Sequence, residues 1–249
     1  MDESIGIHLT RVAGEAPAQI DDLADRCGGR VGLAGVLAAP GRQAKVSRTG
    51  RVLAVRRFHW ASVLGVSEHR VLLNLMDTRG RGTTWWWDYR RDALSRISAQ
   101  PGIRADLVHR RLVLGVGSPD SFCRRTAPLD HPQRTLWRSC PDSPRAWSPD
   151  GTRTLSTYNY FDDYGTPRWE VRTDRTGALA LRVTGRLDWH AVWETDRRFL
   201  VVAQGDDGKA AIVRCTVSGR CERASRLWAL PVPDYLPNYI APPVVLPAN

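Results

Sequence analysis

Side chains able to do chemistry gather in a few short stretches of this chain. In Tyr158-Asn159-Tyr160-Phe161-Asp162-Asp163-Tyr164-Gly165 three tyrosines surround two adjacent carboxylates. Tyr160, Asp162, Asp163 and Tyr164 together could hold a cation, a carbohydrate or the surface of a partner. The spaced D-x-D-x-D of a calcium loop is absent, and a long hairpin connection is the plainer reading. Trp85-Trp86-Trp87 is the most unusual local run. Alternation along a strand sends Trp85, Trp87 and Tyr89 to one face and Trp86 with Asp88 to the other. Trp86 is then a candidate platform for a sugar or planar ligand, against the competing role of aromatic packing between sheets.

A second chemistry is that of paired carboxylates, which cleave glycosidic bonds. Asp106, Asp188 and Glu194 are the candidates, with His59 and His190 near them in the sequence. None stands in a diagnostic motif, and acids at turns are usually solvated. The sequence carries no Gly-rich phosphate loop, nucleophile elbow or metal-binding helix pattern. The expectation is no catalytic set, no cofactor and no metal.

Charge and composition bound the rest. The net charge is +10, from 36 basic and 26 acidic residues. Only Lys45 and Lys209 are lysines, and arginines recur as pairs along the whole chain, at 56–57, 90–91, 110–111, 124–125 and 197–198. Such a surface could hold a polyanion: nucleic acid, an acidic glycan or a membrane face. The even spread, with abundant Ala, Gly and Pro, reads instead as the composition of a GC-rich genome, and nucleic acid is not the favoured partner. With 42% hydrophobic and 25% charged residues, 249 residues suffice for one large all-β domain. No apolar run approaches the roughly 20 residues that span a bilayer. The opening MDESIGIHL lacks the basic stretch and apolar run of a secretory signal.

What must position these residues is a repeat. A short turn feeding a β-rich run occurs as Ser67-Glu68-His69-Arg70 before Val71–Leu75, and as Val108-His109-Arg110-Arg111 before Leu112–Val116. It returns as Pro149-Asp150-Gly151-Thr152 before Arg153–Thr157, and as Thr195-Asp196-Arg197-Arg198 before Phe199–Ala203. Arg70, Arg111, Thr152 and Arg198 are then equivalent, with spacings of 41, 41 and 46 residues. One more step back reaches Gly29, at the head of Arg30-Val31-Gly32-Leu33, a faint fifth copy. Each unit has room for four strands. In the last, His190–Trp193 and Phe199–Gln204 precede the turn Gly205-Asp206-Asp207-Gly208, and Ala210–Val217 and Cys221–Trp228 follow it. The one helix candidate is Gln19–Arg26, stopped by Gly28-Gly29. Four short strands per unit of this length is the period of a propeller blade, because one small twisted sheet cannot bury both faces and must stack on neighbours. A β-sandwich is the alternative; the fixed register of the turn and strand favours the propeller. The fold expected is all-β, a β-propeller of about five four-stranded blades. Residues 1–57 would form an irregular or partial first blade, 58–230 four blades, and 231–249 a proline-rich strap.

Trp147-Ser148-Pro149-Asp150-Gly151-Thr152-Arg153 resembles the W-S-P-D-G-x-x signature of TolB-like, WD-repeat-like bacterial β-propellers. Trp193-Glu194-Thr195-Asp196-Arg197-Arg198-Phe199 is a degraded copy that keeps Trp and Asp in place. The resemblance spans about residues 58 to 228. It implies a turn at Asp150-Gly151 between the first two strands of a blade, and a scaffold for protein or ligand contacts without shared catalytic residues. Its members are often exported or anchored.

The cysteines point to a compartment. Cys215 and Cys221 flank the hairpin at 216–220, and Cys123 and Cys140 take roughly the same places in their own blade. Two such clasps suggest disulfides and an oxidising setting, against the alternative of buried free thiols. Cys27 is left unpaired. The expectation is a non-catalytic scaffold that recognises a protein or glycan partner through one propeller face. The alternatives are a five-bladed glycan-cleaving enzyme and polyanion binding through the arginines. An extracytoplasmic location is expected, with any export segment missing from this chain; the alternative is cytoplasmic.

Overall fold

The structure, a computed structural model, describes the backbone of residues 33–39, 42–47 and 52–56, and then residues 58–117, 123–158, 165–205 and 209–229. These residues form nineteen β-strands and no helix. The expected helix at 19–26, the faint repeat head at 29–32, Cys27 and the strap at 231–249 lie outside the described residues. The chain divides into two compact units, residues 1–115 with 127–134, and residues 116–126 with 135–249.

In the first unit β1 (Leu33–Ala39), β2 (Arg42–Ser47) and β3 (Val52–Arg56) make a three-stranded antiparallel sheet. Next, β4 (Trp60–Val66), β5 (Arg70–Met76), β6 (Gly82–Asp88) and β7 (Ala93–Ser98) form a four-stranded meander in chain order. Strands β8 (Gly102–Asp106) and β9 (Arg111–Val116) pair antiparallel after it. The β5 run Val71-Leu72-Leu73 is fully buried because β5 has a neighbour on each side and side chains packed on each face. Leu72 joins Leu112, Leu114, Ala127 and Leu129 in one apolar cluster. Val71 and Leu73 join Trp87 in another. A strand buried on both faces reads as a continuous apolar run rather than an alternation.

In the second unit β10 (Cys123–Pro128) pairs with β11 (Trp137–Ser139) over residues 124–126. The strands β12 (Asp142–Trp147), β13 (Arg153–Tyr158), β14 (Thr166–Thr173) and β15 (Leu179–Thr195) follow as a second meander. Strands β16 (Arg198–Gln204), β17 (Lys209–Thr216), β18 (Cys221–Arg223) and β19 (Trp228–Ala229) complete the chain. The sequence suggests a separate short first strand at 190–193, but β15 runs unbroken for 17 residues. Its first part pairs with β14 and its second part with β16. The same strand thus closes one sheet and opens the next. Gly185 sits at that change of partner with φ of +151°, a value costly for residues with a Cβ. The fourth strand expected at 221–228 is also shorter: β18 stops at Arg223, and Trp228–Ala229 returns to pair with Lys209–Ala210.

The Ser148–Arg153 turn shows why the Asp-Gly phrase recurs. Gly151 takes φ of +67°, and Asp150 Oδ1 accepts from the Thr152 N–H at 3.0 Å and the Ser148 hydroxyl at 2.6 Å. One repeat later, Asp196 Oδ1 accepts from the Asp150 N–H at 2.8 Å. Trp193 Nε1 donates to the Ala146 carbonyl at 3.3 Å. Equivalent turns of successive sheets are therefore bonded to each other, and Leu155, Trp169 and Val171 share a core with Trp193, Phe199 and Val201.

Candidate binding groove

Hairpin register brings one set of polar side chains to the face of the sheet β4–β7. Arg70 on β5 stands opposite Asp88 on β6, and Asp88 opposite Ala93 on β7; Trp86 stands opposite Ser95. With His69 and Arg91 from the flanking turns they line a groove of about 330 Å³. The alternation across the tryptophan run is as the strand period requires. Trp87 and Tyr89 pack with Val71 and Leu73, whereas Trp86 turns to the opposite face, against Leu72 and the groove. Trp87 is fully buried and Trp86 half-buried.

Arg70 and Asp88 are each held by local contacts. The Arg70 guanidinium lies over the Trp86 ring, 5.4 Å from its centroid, and its Nε donates to His69 Nε2 at 3.2 Å. Asp88 Oδ1 accepts from the backbone N–H groups of Arg90 and Arg91 at 3.0 and 3.2 Å. Burial alone would push the Asp88 carboxyl up, but those N–H groups and the nearby cations outweigh it and hold it below the ordinary value. Its role is to fix the turn that carries Arg91.

The acids named from the sequence are engaged locally. Glu194 is clamped by Arg214, with Nε and Nη2 at 2.7 and 2.8 Å, and those hydrogen bonds hold its carboxyl below the usual range. Asp106 accepts from the N–H groups of Val108 and His109, and lies 2.6 Å from His109 Nδ1. Asp188, nearly buried, accepts from the His190 N–H at 2.8 Å and meets its Nδ1 at 2.7 Å. His59 is exposed just before β4. Tyr160, Asp162, Asp163 and Tyr164 lie outside the described residues.

A second polar array lies in the other unit. Arg168, Glu170 and Arg172 alternate along β14, and Arg182 faces Glu170 from β15. Glu170 is fully buried, with Arg172 Nη2 at 2.5 Å, Arg182 at 2.8 Å and Arg168 Nε at 3.4 Å. Asp142, also buried, receives Arg168 at 2.7 Å and Arg172 at 3.0 Å. Neither acid had drawn notice in the sequence. The available signal was the charged alternation at 168, 170 and 172 between Trp169 and Val171.

Both cysteine pairs are bonded, Cys123 to Cys140 and Cys215 to Cys221, with Cα separations of 3.7 and 4.1 Å. Their places within the two hairpins differ in detail. Cys215 and Cys221 face each other beside the β17–β18 turn, whereas Cys123 begins β10 and Cys140 follows β11, at the open end of that hairpin. Spacing within a hairpin identifies a pair but not which end of it is clasped.

Repeated four-stranded antiparallel meanders in chain order, two of them in the second unit joined through β15, define the class: these are blades of β-propeller type. No protein-family model matches the chain, and no curated protein sequence does. Among solved structures it is similar to Kuenenia stuttgartiensis hydrazine synthase, with 13% identity and a TM-score of 0.52 over 82% of this chain and 64% of that one. It is also similar to lmo1340 from Listeria monocytogenes EGD-e, with 11% identity and a TM-score of 0.51 over 81% and 72% of the two chains. The β-propeller domain of the Trilobed protease from Pyrococcus furiosus aligns at 9% identity and a TM-score of 0.48, over 75% and 67%. At such identities the likeness to the first two concerns the fold alone. Among the described residues no helix is long and apolar enough to cross a membrane.

Proposed function

We propose that this chain is a non-catalytic binding scaffold that recognises a protein or glycan partner through one face of a blade array. The observation that carries the reading is the groove on β5–β7. Arg70 is held in place by His69 and Trp86, and the one carboxylate is bonded to the backbone of the turn that carries Arg91. Rigid strands presenting a fixed polar surface suit recognition. The proposal includes about five blades, with the first drawn from residues 1–57, four across 58–230, and a strap at 231–249. It also places the working protein outside the cytoplasm, a location that two disulfides favour. Glycan cleavage is the weaker reading, because Glu194 serves an ion pair and Asp106 a turn.

The test is to measure retention and turnover on one panel of neutral and acidic polysaccharides. The expected result is a glycan that is retained and recovered intact. Release of new reducing ends by the purified protein would replace the scaffold with an enzyme.

A further inference from the structure

Resting on the scaffold reading, we infer that the groove lined by His69, Arg70, Trp86, Asp88, Arg91 and Ser95 is a subsite for an acidic sugar unit. Such a unit is a pyranose ring that carries a carboxylate or sulfate. Among the described residues neither Arg70 nor Arg91 has a carboxylate partner in ion-pair contact, in contrast to the paired arginines of the second unit. Two guanidinium groups thus face one carboxylate, and that carboxylate already accepts two backbone N–H groups. The surplus suits an oxyanion, which a guanidinium can grip with two parallel hydrogen bonds.

Shape and lining select the sugar over a peptide. The groove crosses three strands on the face of the sheet, along the rows Arg70–Asp88–Ala93 and Trp86–Ser95. A peptide that adds a strand needs a sheet edge, and an amphipathic helix or a proline-rich segment needs an apolar or aromatic trough. Here Trp86 and Ala93 are the apolar lining residues, and the rest are polar. At about 330 Å³ the space lies near the lower end for small-molecule sites, which suits one ring rather than a long side-chain array. Trp86 provides an apolar wall and, through its ring, the seat of Arg70. The Ser95 hydroxyl and the His69 imidazole lie in the same lining, with groups that can bond to sugar hydroxyls.

The experiment is calorimetric titration of the intact chain with four probes: a short oligogalacturonate, a sulfated disaccharide, a neutral galacto-oligosaccharide and a poly-glutamate peptide. The proposal expects binding of an acidic sugar and none of the neutral one. Arg70→Gln and Arg91→Gln should each weaken that binding about tenfold or more, a loss of ~1.4 kcal/mol. Arg175→Gln, a matched charge loss at an exposed turn that does not line the groove, should leave it within about twofold, as a solvated charge outside the lining allows. The tighter of the two acidic sugars identifies the group recognised. Equal weakening by all three variants would reduce the effect to net charge and overturn the subsite. Equal binding of the neutral sugar, or preference for the peptide, would overturn the acidic-sugar assignment and leave the scaffold reading standing. Binding of none of the four would also overturn it. Cleavage of a probe during titration would instead remove the scaffold reading itself.

Discussion

The sheets β4–β7 and β12–β15 have the same plan and place arginines on a face in different ways. In β12–β15, Arg168, Arg172 and Arg182 surround Glu170, and Asp142 takes two of them a second time. In β4–β7, Arg70 rests on Trp86 and His69, and Arg91 is carried on a turn fixed by Asp88. The first array is closed on itself, with both acids buried. The second is open to a groove. An arginine count therefore carries little functional information by itself; what decides is whether a buried acid shares the face. The Trp–Asp pairs differ in the same sense. Trp147 Nε1 donates to Asp174 at 2.7 Å inside the protein, whereas Trp87 Nε1 donates at 2.9 Å to Asp92, whose side chain is 66% exposed.

The largest effect should come from breaking the closed array. Glu170→Gln leaves the largely buried Arg168 and Arg172 and the half-exposed Arg182 facing a neutral amide; removing one partner of a buried pair costs about 3–5 kcal/mol, and the exposure of Arg182 places the loss toward the lower end. Urea unfolding of the variant should show a loss on that scale. A loss well under ~1 kcal/mol, the scale of a solvated surface pair, would mean that water reaches these charges and that the two arrays do not differ in kind.

The tryptophan pairs give a smaller, paired test. Asp174→Ala leaves the buried indole N–H of Trp147 unsatisfied, at a cost of about 1–3 kcal/mol. Asp92→Gly, which suits the φ of 50° at that position, should lower the unfolding midpoint less than Asp174→Ala does, because water can replace an exposed acceptor. Equal losses, or the reverse order, would contradict the contrast in burial.

The contrast also marks what a sequence can and cannot show. The repeat was legible because its turn and second strand are local: β5 begins at Arg70, β9 at Arg111, β13 at Arg153 and β16 at Arg198. Continuous apolar runs such as Val71-Leu72-Leu73 reflect strands buried on both faces. The same position in β13 reads Thr154-Leu155-Ser156-Thr157, equally buried, because its polar face stands opposite Arg172 and Glu170. Asp142 meets Arg168 and Arg172 across 26 and 30 residues, a distance over which spacing alone carries no signal. Of the groove, Trp86 was visible as an unusual residue, whereas Arg70 stood out only as the head of a repeat. Its place beside Trp86 and Asp88 depends on hairpin register, which no single strand records.

The most direct test of the division between closed and open arginines is one experiment on two variants, Arg172→Gln and Arg70→Gln, each measured for unfolding midpoint and for affinity toward the acidic sugar. Opposite outcomes are expected: Arg172→Gln lowers the midpoint and leaves affinity unchanged, while Arg70→Gln leaves the midpoint unchanged and weakens binding. Variants that change both properties together, or the reverse assignment, would contradict that division.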